Sequence, residues 1–311
     1  MNALAVYALL LATFFNSVEV ADPTTPLPLT DETPTGLSLS QCTSSFNGDV
    51  TTYTLKDGYY DAGHAIWISR KNQRAKAKYF AHKQDGNYVH TRYAYWRRDG
   101  DKSVILKSSG AYATGWNGSD VPVGVTVDNG VIVNRNYTTD MDGLVIVYAT
   151  GGIAVSNIED GDLYLESIGR KVDIRKSGDR ARFLQWAVSE KATVFQMHLM
   201  AYKNQLKVGK YNSSSATARR KLLALARSNR GELFHTIFYF ERSQSLYDAT
   251  DKVLNLLRGN RMDVIAMINL DTGGFDILNT GGDATDCSGS NIWGSSSNYD
   301  DMTNLLTYEY N

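Results

Sequence analysis

The chain has 311 residues, and its 32 Lys plus Arg against 33 Asp plus Glu leave a formal charge of −1, so no overall positive field is available to hold nucleic acid. Hydrophobic residues make up 42% and charged residues 21%, which excludes disorder, collagen and coiled coil as descriptions of the whole. With 19 Tyr and 26 Gly against 5 Pro, the composition points to strands joined by glycine turns.

Residues 1–15 (MNALAVYALLLATFF) are almost wholly apolar, shorter than the about 20 residues a membrane span needs. They predict a signal peptide over residues 1–21, export from the cell, and no membrane span once the segment is removed. Residues 22–48 hold four of the five prolines among many Thr and Ser and predict an extended linker ahead of a single domain over residues 49–311. In an oxidising compartment Cys42 and Cys287 are expected to form a disulfide. Asn117, Asn136 and Asn212 each begin an Asn-x-Ser/Thr glycosylation triplet.

From residue 49 to 165 the chain offers short stretches of strand character at 51–55, 64–69, 88–96, 104–107, 124–128, 144–149 and 152–156. Asp-Gly and Asn-Gly pairs at 57–58, 85–86, 99–100, 129–130 and 142–143 predict turns between them. The second half mixes elements. Apolar positions at 183, 184, 187 and 188 predict a helix over 181–190, and 193–200 and 233–240 read as buried strands. Residues 245–259 predict a helix capped by Ser245, with Asp248 three residues on and an apolar stripe at 246, 249, 253, 256 and 257. Asp263–Leu270 is a near-continuous apolar strand, 275–278 a further short strand, and 280–300 a turn-rich loop. The expected class is α+β: mixed, strand-rich sheets with a few packed helices.

Asp271 follows the 263–270 strand and precedes Thr272-Gly273-Gly274, a position that lifts a carboxylate out of a core and places flexible main chain beside it. A tight turn whose Asp bonds its own backbone has the same sequence signature. The basic run Arg219-Arg220-Lys221 stands before an apolar stretch at 222–226, and paired guanidinium hydrogen bonds suit phosphate; a solvated charged turn fits the run equally. Ser108-Ser109-Gly110-Ala111-Tyr112 leaves a strand with small residues and a Tyr, as a sugar site or a plain strand exit does. The histidines at 64, 82, 90, 198 and 235 lack ligand spacing, and Asp283, Asp286, Asp300 and Asp301 match no EF-hand loop, so neither a metal nor a cofactor is expected. There is no G-x-S-x-G elbow, P-loop or Rossmann glycine fingerprint.

Over roughly residues 60–280 the order of these pieces resembles the phosphodiester glycosidase family. The chain presents Ser108-Ser109-Gly110-Ala111-Tyr112, then Pro122-Val123-Gly124-Val125 with Val127-Asp128-Asn129-Gly130, then Arg220 before 222–226, and finally Asn269-Leu270-Asp271-Thr272-Gly273-Gly274. Ser-Ser-Gly stands where the family has Asn-Gly-Gly, and Thr272 where it has its first glycine after the Asp. The resemblance implies a hydrolase cleaving a sugar-1-phosphodiester of the N-acetylglucosamine type. Asp271 would be the catalytic carboxylate, Arg219 or Arg220 would hold phosphate, and Ser109, Gly110, Gly273 and Gly274 would bind substrate. The implied partner is a sugar phosphate or glycan. A non-catalytic carbohydrate-binding protein and a secreted structural or interaction protein are the alternatives the residues leave open.

Overall fold

In the computed structural model the described residues are 36–98, 103–113, 121–161, 163–210, 217–274, 276–281, 291–294, 300 and 302–311. The largest sheet takes its strands from both ends of the chain. β1 (Leu37–Ser45), β2 (Val50–Asp57) and β3 (Tyr60–Ser69) form one half. Four later pieces complete it: β13 (Leu199–Tyr202) with its short partner β14 (Gln205–Leu206), β15 (Ala218–Ser228), β16 (Leu233–Gln244) and β17 (Met262–Leu270), in the order β1-β2-β3-β16-β15-β17-β13-β14. A second sheet has β6 (Thr126–Asp128), β7 (Val131–Asn134), β8 (Gly143–Val147), β9 (Ile153–Asn157) and β12 (Thr193–Met197) in the order β7-β6-β12-β8-β9. A third has β4 (Ala75–Phe80), β5 (Ser103–Ser108), β18 (Leu278–Thr280), β19 (Asn291–Trp293) and β20 (Leu305–Tyr310) in the order β19-β18-β5-β20-β4. β10 (Leu163–Leu165) and β11 (Arg170–Val172) make a separate small ladder. Asn129 and Gly130 join β6 to β7 with φ of 50° and 82°, the backbone a two-residue hairpin requires.

The central core lies where the three sheets face one another. It holds Ile66, Tyr79, Leu106, Val145, Phe195, Leu223, Ile237, Ile268 and Leu306, all from strands. Side chains alternate along β15: Leu223 and Leu225 enter this core, whereas Leu222, Ala224 and Ala226 face the other way. That second face is covered by α3 (Leu246–Gly259) through Ala249, Val253, Leu256 and Leu257. Ser245 caps α3, its Oγ accepting from Asp248 N at 2.9 Å, a contact worth about 1 kcal/mol. α2 (Ser177–Ser189) buries Phe183, Leu184 and Ala187 against the second sheet, and α1 (Val89–Arg98) packs Val89, Tyr93 and Trp96 around Phe80 of the third.

The class is therefore mostly β, which corrects the α+β expectation. Sheet packs on sheet to bury the central core, and each of the three helices among the described residues only covers an outer face. Two local readings also change. Residues 88–96, expected as a strand from their Tyr, Thr and Trp, are mostly helix α1: Val89, Tyr93 and Trp96 lie at a spacing of four and three and make one helical stripe. Within the segment expected as linker, residues 37–45 are instead β1, an edge strand whose Ser- and Thr-rich sequence leaves most of its side chains part-exposed or exposed. No helix among the described residues is long and apolar enough to cross a membrane.

Candidate functional site

β17 runs through the core and ends at Leu270, whose rung partner on β15 is Lys221. One residue further Asp271 leaves the ladder, half-buried. Its backbone N donates to Gly110 O at 2.8 Å, so the end of β17 is pinned to the exit of β5. Its carboxylate Oδ1 accepts from Gly273 N at 2.9 Å. That bond engages the Gly273 amide with the protein's own carboxylate, so this amide does not stand open as an anion donor. A side chain at 273 would put a Cβ 3.1 Å from the same oxygen, which is why glycine suits the position. Burial holds the Asp271 carboxyl above its ordinary 3.8; the Gly273 amide and the Lys221 ammonium oppose that rise. Gly274 is exposed beside it.

The β5 exit is held tightly. Gly110 N and Ala111 N donate to Asn304 Oδ1 at 3.1 and 2.8 Å, and Asn304 Nδ2 returns a bond to Ala111 O at 2.8 Å. A Cβ on Gly110 would come within 2.4 Å of the Tyr79 ring, so only glycine fits there. Ser109 Oγ accepts from Lys221 Nζ at 2.5 Å, and Asp271 O at 2.9 Å and Asp276 Oδ1 at 3.0 Å are the acceptors open to its proton.

The three consecutive basic residues of β15 go to three environments. Lys221 shares the inward parity of Leu223 and Leu225 and is fully buried, pairing with the equally buried Asp276 at 2.5 Å and donating to Ile277 O at 3.0 Å. Burial pushes its pKa down, and Asp276 pulls it back up. Arg220 turns to the opposite face, where its Nε donates to Gln244 O at 2.9 Å. Arg219 lays its guanidinium 3.9 Å from the centre of the Trp293 ring, a cation–π contact, and its buried Nε has no hydrogen-bond partner among the described residues. Thr272 Oγ1 donates to Arg219 O at 3.0 Å, tying the segment after β17 to β15.

Tyr112 follows the same exit from β5. Its hydroxyl accepts from Asn269 Nδ2. Its pKa is pushed up to about 12, chiefly by burial, with the Asp271 charge adding to the rise and Arg220 opposing it. The structure thus gathers Ser109, Gly110, Asp271 and Gly273 with the Arg219 main chain. It adds Asp276 and Asn304, which the sequence reading did not name, and gives partners to Lys221, Tyr112 and Asn269, which that reading named only within their motifs. Lys221 carried a signal: a charged residue at an inward position of an apolar strand needs a buried partner.

The remaining candidates lie elsewhere or outside the described residues. Asn136 is exposed. Cys42 sits on β1 and is not a free thiol, its Sγ 3.5 Å from Thr54 Oγ1. Cys287, Asn117, Asn212, Asp283, Asp286 and Asp301 are outside the described residues, as is Phe275; β18 begins at Leu278, where the expected 275–278 strand ends. His64 pairs with Glu241 at 2.9 Å, and His235 meets Tyr308 OH at 3.0 Å. Among the described residues no three His, Cys, Asp or Glu side chains gather as a metal cluster.

No family model and no curated protein matches the sequence. Among solved structures, the chain is similar to the zebrafish N-acetylglucosamine-1-phosphodiester alpha-N-acetylglucosaminidase catalytic domain auto-inhibited by pro-peptide. That match has a TM-score of 0.47 and 12% identity, and covers 91% of this chain and 85% of that one. A hypothetical protein from Synechocystis matches with a TM-score of 0.45, 10% identity, and 89% and 62% coverage. A putative exported protein from Burkholderia pseudomallei matches with a TM-score of 0.37, 11% identity, and 79% and 73% coverage. Each is a distant likeness in fold alone.

Proposed function

We propose that this chain hydrolyses a sugar-1-phosphodiester, with Asp271 as the working carboxylate. The observation that carries the reading is the hydrogen-bonded junction of three distant segments, 109–111, 219–221 and 269–276, around that one half-buried acid. Water adds to the anomeric carbon as the bond from that carbon to the phosphate oxygen breaks. The products are the free sugar and a phosphate monoester, and the proton from water passes to Asp271 or to solvent. A phosphate ester departs as a stable anion, so the reaction asks less of an acid than ordinary glycoside cleavage does. It asks for positive charge near the leaving oxygen and negative charge near the developing oxocarbenium. Arg219 is our choice of phosphate partner, a reading supported by its Nε having no hydrogen-bond partner among the described residues while Arg220 Nε donates to Gln244 O. Export by a signal peptide over residues 1–21, a Cys42–Cys287 disulfide and glycosylation at Asn117, Asn136 and Asn212 belong to the same reading.

The test is turnover of an N-acetylglucosamine-1-phosphodiester by wild type beside Asp271→Asn. Asparagine keeps an oxygen for Gly273 N, so the turn survives and activity is expected to fall by roughly a hundredfold or more. In wild type the ionised carboxylate is the active form. Activity is therefore expected to fall with decreasing pH through a midpoint above the ordinary 3.8, because the folded pKa is raised. Full activity of Asp271→Asn removes the acid from the mechanism. Because Asp271 Oδ1 closes its own turn, a non-catalytic carbohydrate-binding protein is the second reading; sugar phosphate bound without turnover in wild type selects it.

A further inference from the structure

We propose that a cavity of about 140 Å³ between β4, β8 and α1 is a second ligand site, taking a phosphate or sulfate ester carried on a sugar ring. Its wall includes Lys76, Lys78, Lys191, Trp96, Tyr148 and Glu309. Lys76 and Lys78 are two residues apart on β4 and so project to the same side. Lys191 reaches the cavity from the turn that follows α2. Glu309, the rung partner of Lys76 on β20, is the acidic residue of the wall, and three ammonium groups against one carboxylate leave two positive charges. Lys78 and Glu309 each have a partner, whereas neither Lys76 nor Lys191 is in an ion pair among the described residues.

Ammonium groups in excess of the hollow's one carboxylate repel each other, and a concave wall focuses their field on whatever enters. A tetrahedral oxyanion answers that field, doubly charged as a phosphate monoester or singly charged as a sulfate monoester, and lysine ammonium groups bind such ions as point charges. Trp96 and the part-exposed Tyr148 supply flat apolar surface on which a sugar face can stack. The hollow is also preformed. Ala77 N donates to Gly151 O at 2.9 Å, and Gly151, with φ of 83°, comes so close to Lys76 that a Cβ would lie 2.4 Å from the lysine Cβ. The turn between β8 and β9 is thereby locked onto β4. No residue of the wall belongs to the Ser109–Asp276 network, so this site stands independently of the hydrolase reading.

Titration calorimetry of the full chain with glucose 6-phosphate, glucose 6-sulfate and glucose tests it. At least one ester is expected to bind saturably while glucose does not, and the tighter ester identifies the natural group. The double variant Lys76→Met/Lys191→Met is expected to weaken binding by roughly tenfold or more with its thermal midpoint unchanged, and Asp271→Asn is expected to leave binding as it was. Absence of saturable binding by both esters, undiminished binding by the lysine variant, or loss of binding in Asp271→Asn would each overturn the proposal.

Discussion

Cations meet two opposite fates in this molecule. At the end of the large sheet Lys221 is wholly enclosed and finds its partners inside the chain, at Asp276, Ser109 and Ile277. In the hollow beside β4, Lys76 and Lys191 have no ion-pair partner among the described residues, and the nearest strand offers Glu309 across from Lys76. An ammonium group removed from water must be compensated from within, so Lys221 is part of the scaffold. One left at a wetted concave wall is free to be compensated from outside, so Lys76 and Lys191 are ligand groups. Position relative to solvent, more than residue type, separates structure from binding.

The strongest way to break that contrast is Lys221→Met. It leaves Asp276 enclosed without its main partner, and a loss of about 3–5 kcal/mol of unfolding free energy is expected in denaturant titrations. Lys221→Met/Asp276→Leu is expected to recover much of that loss, because the stranded charge goes with its partner. A loss below about 1 kcal/mol for Lys221→Met alone would place Lys221 in the same class as a surface cation.

Gly110→Ala sharpens the same contrast from the backbone side. The added methyl meets the Tyr79 ring at 2.4 Å and Asn304 Oδ1 at 2.9 Å, in the bond set that carries Asp271. Overpacking of this kind costs about 1–3 kcal/mol, visible as a lowered thermal midpoint. In the hollow nothing comparable is expected, since substituted lysines there release space.

How much of this could be read from residues alone depended on the range of the forces involved. The α3 helix was legible because its cap, its stripe and its closing glycine are all local, and Asn129-Gly130 announced its hairpin for the same reason. α1 was misread because Tyr, Thr and Trp favour strands by propensity, while the choice was made by packing of Val89, Tyr93 and Trp96 on Phe80. β1 was hidden by a polar composition suited to an edge strand whose one neighbour is β2. The nearness of Asp271 to Gly110 is legible only through a family-like order of motifs, since their positions in the chain are 161 apart. The Lys221–Asp276 pair joins two elements across a 55-residue separation, and only the parity of Lys221 with Leu223 and Leu225 hinted at it. The α+β expectation gives way to mostly β because amphipathic stripes reveal that a helix exists without revealing that it merely covers a sheet.

The smallest expected effect tests whether geometry alone could have drawn the contrast. Lys56 and Asp61 face each other on the β2–β3 hairpin at 2.9 Å, close to the separation within the Lys221–Asp276 pair. Their side chains are 38% and 71% exposed, against 0% and 1% for the buried pair. Water already solvates both surface groups and weakens their attraction, and the pair must also restrain two mobile side chains. Lys56→Ala is therefore expected to change the unfolding free energy by less than about 1 kcal/mol, and by less still as salt is added. An effect as large as that of Lys221→Met would mean that contact distance governs these pairs, and the division between enclosed and wetted cations would have to be given up.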